Sequence, residues 1–295
     1  MPGVSEDYTI TPRAGLSGEE LLHAAALKAL CDAEDGLDLK VQPEMQRADE
    51  SITDAIVATT RDGTLVGLCT LDGAFEVEIC GMVHPAYRRR GIGRALLTAA
   101  LAACHERQAR RVLVICEDAS TSGRALLAAA LPTARLDFKE HRLELRTAQF
   151  APQQAHAAPV PGLLARPAGD GDLASLAMTQ AAAFGERKQG IQPGIAADMR
   201  DPSYRYYLAT LDGEPVSSLK VIFVAPRAYV YAFGVVPEQR RRGIGRAVLA
   251  EVIARLRDEG WRRVALEVES ENAPALALYR SLGFAPVTTY GYYAA

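Results

Sequence analysis

The chain has 295 residues, 49% hydrophobic and 23% charged, with a formal net charge of −3. Such values describe a globular protein of about two domains and argue against a general nucleic-acid binder. No apolar run approaches the roughly 18 residues a membrane span needs, and MPGVSEDYTI lacks the basic-then-apolar order of a secretory signal, so a cytoplasmic protein with no membrane partner is expected.

In chain order, a short strand is followed by a helix over LLHAAALKAL, introduced by Ser17 and Glu20 in capping-box spacing. AIVATTRDGTLVGLCTLDG (55–73) predicts two strands around an Asp62-Gly63 turn, and AFEVEICGMV (74–83) a further strand. The octapeptide RRRGIGRA follows at Arg88–Ala95, opening an amphipathic helix, and RRVLVICE (110–117) reads as the next strand before another short helix. All five cysteines lie in this half, in odd number and without a CxxC pair. Cys69, Cys80 and Cys116 sit in apolar, strand-like runs that suit reduced, buried thiols.

FAPQQAHAAPVPG (150–162) has three prolines and no periodicity, and is read as a linker between domains at 1–149 and 163–295. Beyond it the order repeats. YLATLDGEPVSSLKVIFV turns at Asp212-Gly213, YVYAFGVV (229–236) is a strand, and RRRGIGRA recurs at Arg240–Ala247, 152 residues after its first copy. From turn glycine to first octapeptide glycine the spacing is 28 residues in one half and 30 in the other. The chain is therefore a tandem duplication, and strands alternating with helices predict an α/β (α+β) fold in each half.

Both octapeptides follow an apolar strand ending in Val-x-Pro, at Val83 and Val235. Arginines at a helix start oppose a terminus that already carries about +0.5 charge. A bound anion, held by free amides and guanidinium groups, removes that conflict. Candidate anion ligands are thus Arg88, Arg89, Arg90, Gly91, Gly93 and Arg94 in the first half. In the second they are Arg240, Arg241, Arg242, Gly243, Ile244, Gly245 and Arg246. A dinucleotide fingerprint is disfavoured because Leu96 and Val248 replace its third glycine, and a Walker loop is excluded for want of GK[ST]. The histidines are scattered without ligand spacing, so no metal is implied, and His84 is read as a turn residue.

This pattern of strand, V-x-P, R-x-x-G-x-G and helix resembles the acetyl-CoA pyrophosphate loop of the GCN5-related N-acetyltransferase (GNAT) superfamily. The resemblance covers nearly the whole chain and implies two tandem GNAT domains, each a mixed central sheet flanked by helices, with acetyl-CoA as co-substrate. ALEVESENAPALALYRSLGF (265–284) is similar to the corresponding segment of the bacterial ribosomal-protein N-terminal alanine acetyltransferases. That similarity implies Glu267 as general base, Asn272 as a coenzyme A contact and Tyr279 as the acid that protonates the leaving thiolate. The family also implies that main-chain groups of Phe233, Gly234 and Val235 hold the pantetheine arm. From the residues alone, Glu267 and Glu269 share one strand face, and either carboxylate or a water route could take the proton. Asn272 also suits a helix cap, and Tyr279 could equally be a core aromatic beside Phe284.

The first half departs from this pattern. Aligning EDASTSGRALLAAAL (117–131) on the second-half segment places Ser122 over Asn272 and Ala129 over Tyr279, so the proton donor is missing. Glu76 and Glu78 stand where the histone-acetylating branch keeps its base. An active second domain beside a degenerate first resembles the tandem layout of the mycothiol synthases. The expected activity is acetyl transfer by direct attack of a primary amine on the thioester, the acceptor being a small molecule or a peptide N-terminus. The alternatives are a non-catalytic acyl-CoA sensor and, more weakly, nucleic-acid association through the arginine clusters. A monomer is expected.

Overall fold

The computed structural model describes residues 7–41, 52–73, 75–150, 160–185 and 188–295. The chain forms two compact units, one of residues 1–140 with 288–295 and one of residues 141–287.

The first unit runs β1 (Tyr8–Arg13), α1 (Gly18–Asp35), β2 (Ala55–Thr60), β3 (Leu65–Asp72), β4 (Glu76–Val83), α2 (Ile92–Glu106), β5 (Arg111–Glu117) and α3 (Thr121–Ala130). Ser17 caps α1 in the expected box, its hydroxyl accepting from the Glu20 amide at 3.2 Å while the Glu20 carboxylate accepts from the Ser17 amide at 2.9 Å. Strands β1 to β4 pair antiparallel in sequence, β4 and β5 pair in parallel, and the last residues of β12 (Ala285–Ala294) pair antiparallel with β5. One sheet face packs on α2 through Ile92, Leu96 and Ala100. The other packs on α1 through Ala24, Leu27 and Cys31, against Cys80, Met82, Ile115 and Tyr292. The five cysteines are free and buried.

The second unit repeats the plan with β7 (Leu163–Pro167), α4 (Leu173–Phe184), α5 (Lys188–Asp198), β8 (Tyr204–Leu211), β9 (Glu214–Val224), β10 (Arg227–Val235), α6 (Ile244–Asp258), β11 (Arg263–Glu269) and α7 (Ala273–Ser281). Its β8–β9 turn places Asp212 and Gly213 at φ 52° and 92°, the left-handed pair a tight hairpin needs. Here β10 and β11 are the parallel pair, and β6 (Arg135–Arg146) lies next to β11.

The units do not divide at the proline-rich stretch 150–162, of which 151–159 lie outside the described residues. The cause is strand exchange. β6 is one strand whose residues Leu143 and Leu145 join the second unit's core, whereas the end of β12 returns to β5. Each unit is completed by a strand from the other half of the sequence. Among the described residues no helix is long and apolar enough to cross a membrane.

Candidate active site

The two octapeptides fold alike. Arg88 and Arg240 both take φ −65°, ψ 160°, and the next arginines, Arg89 and Arg241, have φ 65° and 63°. Gly91 and Gly243 enter their helices at φ 86° and 79° without a side-chain cap. Only the left-handed conformation lets the chain turn so sharply, and glycine adopts it without steric cost. The first-turn amides of α2 and α6 are left for an anion, and alternating backbone conformations aim successive N–H groups into one concavity.

The arginine side chains divide their work. Arg90 and Arg242 bond within their own loops, to the Ala86 carbonyl at 3.2 Å and to Gln239. Arg94 and Arg246 tie their helices to α3 and α7, through the Ala129 and Ser281 carbonyls at 3.1 and 3.2 Å. Arg88 makes two bonds to Asp35, at 2.8 and 2.7 Å, and Arg240 instead donates to the carbonyls of Ala183 and Val235 at 2.7 and 3.0 Å. Arg89 and Arg241 are exposed, and no hydrogen bond or ion pair of theirs is found among the described residues. His84 is a turn residue, its Nδ1 accepting from the Ala86 amide at 3.1 Å.

Ahead of the loops the units diverge. In each, the parallel ladder stops midway: the last partners are Ile79 with Val114, and Val230 with Leu266. Strand β4 stays in unbroken register with β3 from Glu78 to Val83. Strand β10 does not. Tyr231 faces Lys220 but Gly234 faces Ser218, so β10 carries one extra residue, and Ala232 sits at φ 47°. A bulge of this kind turns backbone groups out of the ladder. Tyr231 to Val235 are all half-buried, whereas Cys80 and Met82 of β4 are buried. A Cβ on Gly234 would lie 2.6 Å from that of Ala183, so α4 rests directly on the bulged strand.

Val264, Leu266 and Val268 point into the core beneath α6, so Glu267 lies on the opposite, α4-facing side of β11. Its Oε1 accepts from Nε and Nη2 of Arg142 on β6, at 3.1 and 2.8 Å, with both side chains buried. The Arg142 guanidinium lies 5.6 Å from the Tyr229 ring centre. Gln180 of α4 and Ser218 of β9 are buried, and among the described residues Gln180 Nε2 and Ser218 Oγ find no hydrogen-bond partner.

Asn272 is the cap of α7, its side chain accepting from the Ala275 amide at 3.2 Å. Tyr279 packs in the α6-side core, 6.0 Å from the Phe284 ring, and burial pushes its hydroxyl up to about 12. Glu267 and Tyr279 thus belong to opposite faces of the sheet, and the β10–β11 ladder ends at Leu266, the residue before Glu267.

The first unit corrects the correspondence read from the sequence. Ser120, not Ser122, caps α3, as Asn272 caps α7, again 152 residues apart. Spacing from these caps puts Leu127 opposite Tyr279 in place of Ala129, and Ile115 opposite Glu267; both are buried apolar residues. Counted from Glu117 and Glu269 the two segments keep one offset of 152 residues, so the residue over Asn272 is Ser120 in the sequence as well. Glu76 and Glu78 lie on the paired part of β4, before the strands part, and make ion pairs with Arg111 at 2.6 Å and Lys40 at 3.5 Å. Sequence reasoning missed Arg142, which lies 125 residues from its partner, and missed the bulge, whose signal was the spacing of 30 against 28.

The family described as "Acetyltransferase (GNAT) family" matches residues 27–131 and 173–284. A mycothiol acetyltransferase of Clavibacter michiganensis subsp. michiganensis is 33% identical over 241 residues, covering 78% of this chain and 76% of its own. One from Salinispora tropica is 32% identical and covers 95% and 94%. A tandem GNAT protein from the clavulanic acid biosynthesis pathway shares the fold, with a TM-score of 0.75 at 22% identity over 98% of both chains. The chain belongs to the GNAT acetyltransferase family, as a tandem, acetyl-CoA-dependent N-acetyltransferase.

Proposed function

We propose that the second unit carries the acetyl transfer and that the first supports it without chemistry. The observation that carries this reading is the bulged strand β10 beside the ladder end at Glu267, with Tyr279 on the other face. At the corresponding positions the first unit has a regular strand, Ile115 and Leu127.

Acetyl-CoA would lay its pyrophosphate in the loop Arg241–Gly245, with the Arg241 guanidinium as the charged ligand. Val83 and the loop residues Arg89, Gly91 and Gly93 form the matching cradle of the first unit, which we read as a remnant. The pantetheine arm then runs along Phe233, Gly234 and Val235, where the bulge frees main-chain groups, with Asn272 beside the coenzyme. This places the thioester where the β10–β11 ladder ends. The acceptor amine enters from the α4 side and attacks the carbonyl carbon. The new N–C bond forms, the C–S bond breaks, Glu267 takes the amine proton, and Tyr279 donates its proton to the sulfur. Arg142 fixes one oxygen of Glu267, so the carboxylate meets the amine in a set orientation. A hydroxyl with so high a pKa stays protonated throughout the physiological range and is always ready to donate.

For the acceptor we propose a small-molecule amine of the kind handled by the mycothiol acetyltransferases. Two buried polar atoms in this unit without a hydrogen-bond partner among the described residues, Gln180 Nε2 and Ser218 Oγ, support a polar acceptor. The experiment is acetylation of an amine panel that includes the mycothiol precursor, with products identified by mass. Transfer to that amine, abolished by Glu267→Gln, supports the reading. Binding of acetyl-CoA with no transfer to any amine would instead favour a sensor.

A further inference from the structure

The first arginine of each octapeptide is spent on its neighbours, and its neighbours differ. Arg240 Nε donates to the Val235 carbonyl at the end of β10, while Nη2 donates to the Ala183 carbonyl in the last turn of α4. Ala183 is among the last four residues of a helix that ends at Phe184, so its carbonyl has no partner within the helix. A guanidinium there both satisfies that oxygen and complements the negative end of the helix dipole. Gly234, which has room for no Cβ, brings the same turn of α4 onto the bulge. One side chain therefore joins three things: the anion loop, the strand proposed to hold pantetheine, and the helix that covers the acceptor side. Arg88 repeats half of this, with Nε on the Val83 carbonyl at 3.0 Å, but closes on the Asp35 carboxylate at the end of α1. In the first unit the clasp is a closed ion pair; in the second, among the described residues, the guanidinium bonds are to carbonyls.

The geometry points to Arg240 as a positioning residue that couples acetyl-CoA in the loop to acceptor binding under α4, leaving phosphate contact to Arg241. This rests on the second unit being the catalytic one. Arg240→Met removes both bonds, whereas Arg240→Lys can reach only one carbonyl and should be intermediate. In Arg240→Met the amine KM should rise about tenfold while the acetyl-CoA Kd stays within about twofold, the scale of one lost charge-assisted contact. Arg241→Ala should show the reverse split. Hydrogen exchange offers a readout independent of activity: amides of residues 181–184 should exchange faster in Arg240→Met, and acetyl-CoA should no longer slow them. The proposal is overturned if Arg240→Met weakens acetyl-CoA as much as Arg241→Ala with amine KM unchanged, or if exchange at 181–184 matches the wild type. Should the second unit prove inactive, the exchange result still decides whether the clasp exists.

Discussion

Arg88–Ala95 and Arg240–Ala247 trace the same backbone, and the parallel ladder beside each stops at a matching place, yet the residues there differ. In the first unit Cys80, Met82, Ile115 and Tyr292 close the α1 side of the sheet. In the second, a glycine replaces Met82, a glutamate replaces Ile115, a tyrosine replaces Leu127, and one added residue bulges the strand. Duplication copies a loop through its glycines and φ angles, but chemistry depends on a few side chains that drift independently. A binding motif therefore marks ancestry, and the residues at the ladder's end mark activity.

The largest break in this comparison should come from Glu267→Gln, which keeps a polar partner for Arg142 while removing the base. Steady-state kinetics should show a loss of about 10³-fold in kcat. Ile115→Val at the matching first-unit position should leave kcat unchanged, and a large loss there would move chemistry into the first unit. Tyr279→Phe comes next, with kcat down about 10²-fold and acetyl-CoA affinity retained by calorimetry. Because burial holds the Tyr279 hydroxyl up to about 12, it stays protonated and the wild-type kcat should show no fall from this group between about pH 7 and 10. The sign follows for stability: the raised pKa adds no pH dependence below the ordinary tyrosine value of about 10, and stability falls as pH rises from there towards 12. Arg142→Met would take the guanidinium away from a buried carboxylate, destabilising the second unit by about 3 kcal/mol in denaturant titration. The smallest effect sharpens the bulge. Ala232 holds φ 47°, so Ala232→Gly should relieve strain and raise stability by about 0.5 kcal/mol in a melting experiment.

Much of this was legible in the residues. Alternating strands, the Asp-Gly turns, the Ser17 capping box and the repeated octapeptide are local signals, and local signals fix local structure. The loop glycines gave the anion cradle because few other residues fit their φ angles. What stayed hidden was non-local. Arg142 meets Glu267 only because β6 passes beyond the first unit, and no spacing announces that exchange. The pairing of Ser120 with Asn272 needed only the constant offset of 152 that follows the octapeptides. The mismatch of two residues before the octapeptides, 28 against 30, contained the bulge between Tyr231 and Gly234.

Calorimetric titration of the full chain with acetyl-CoA tests the division of labour most directly. One tight site per chain is predicted, lost in Arg241→Glu and untouched by Arg89→Glu. Two equivalent sites, or a single site lost in Arg89→Glu and kept in Arg241→Glu, would contradict it.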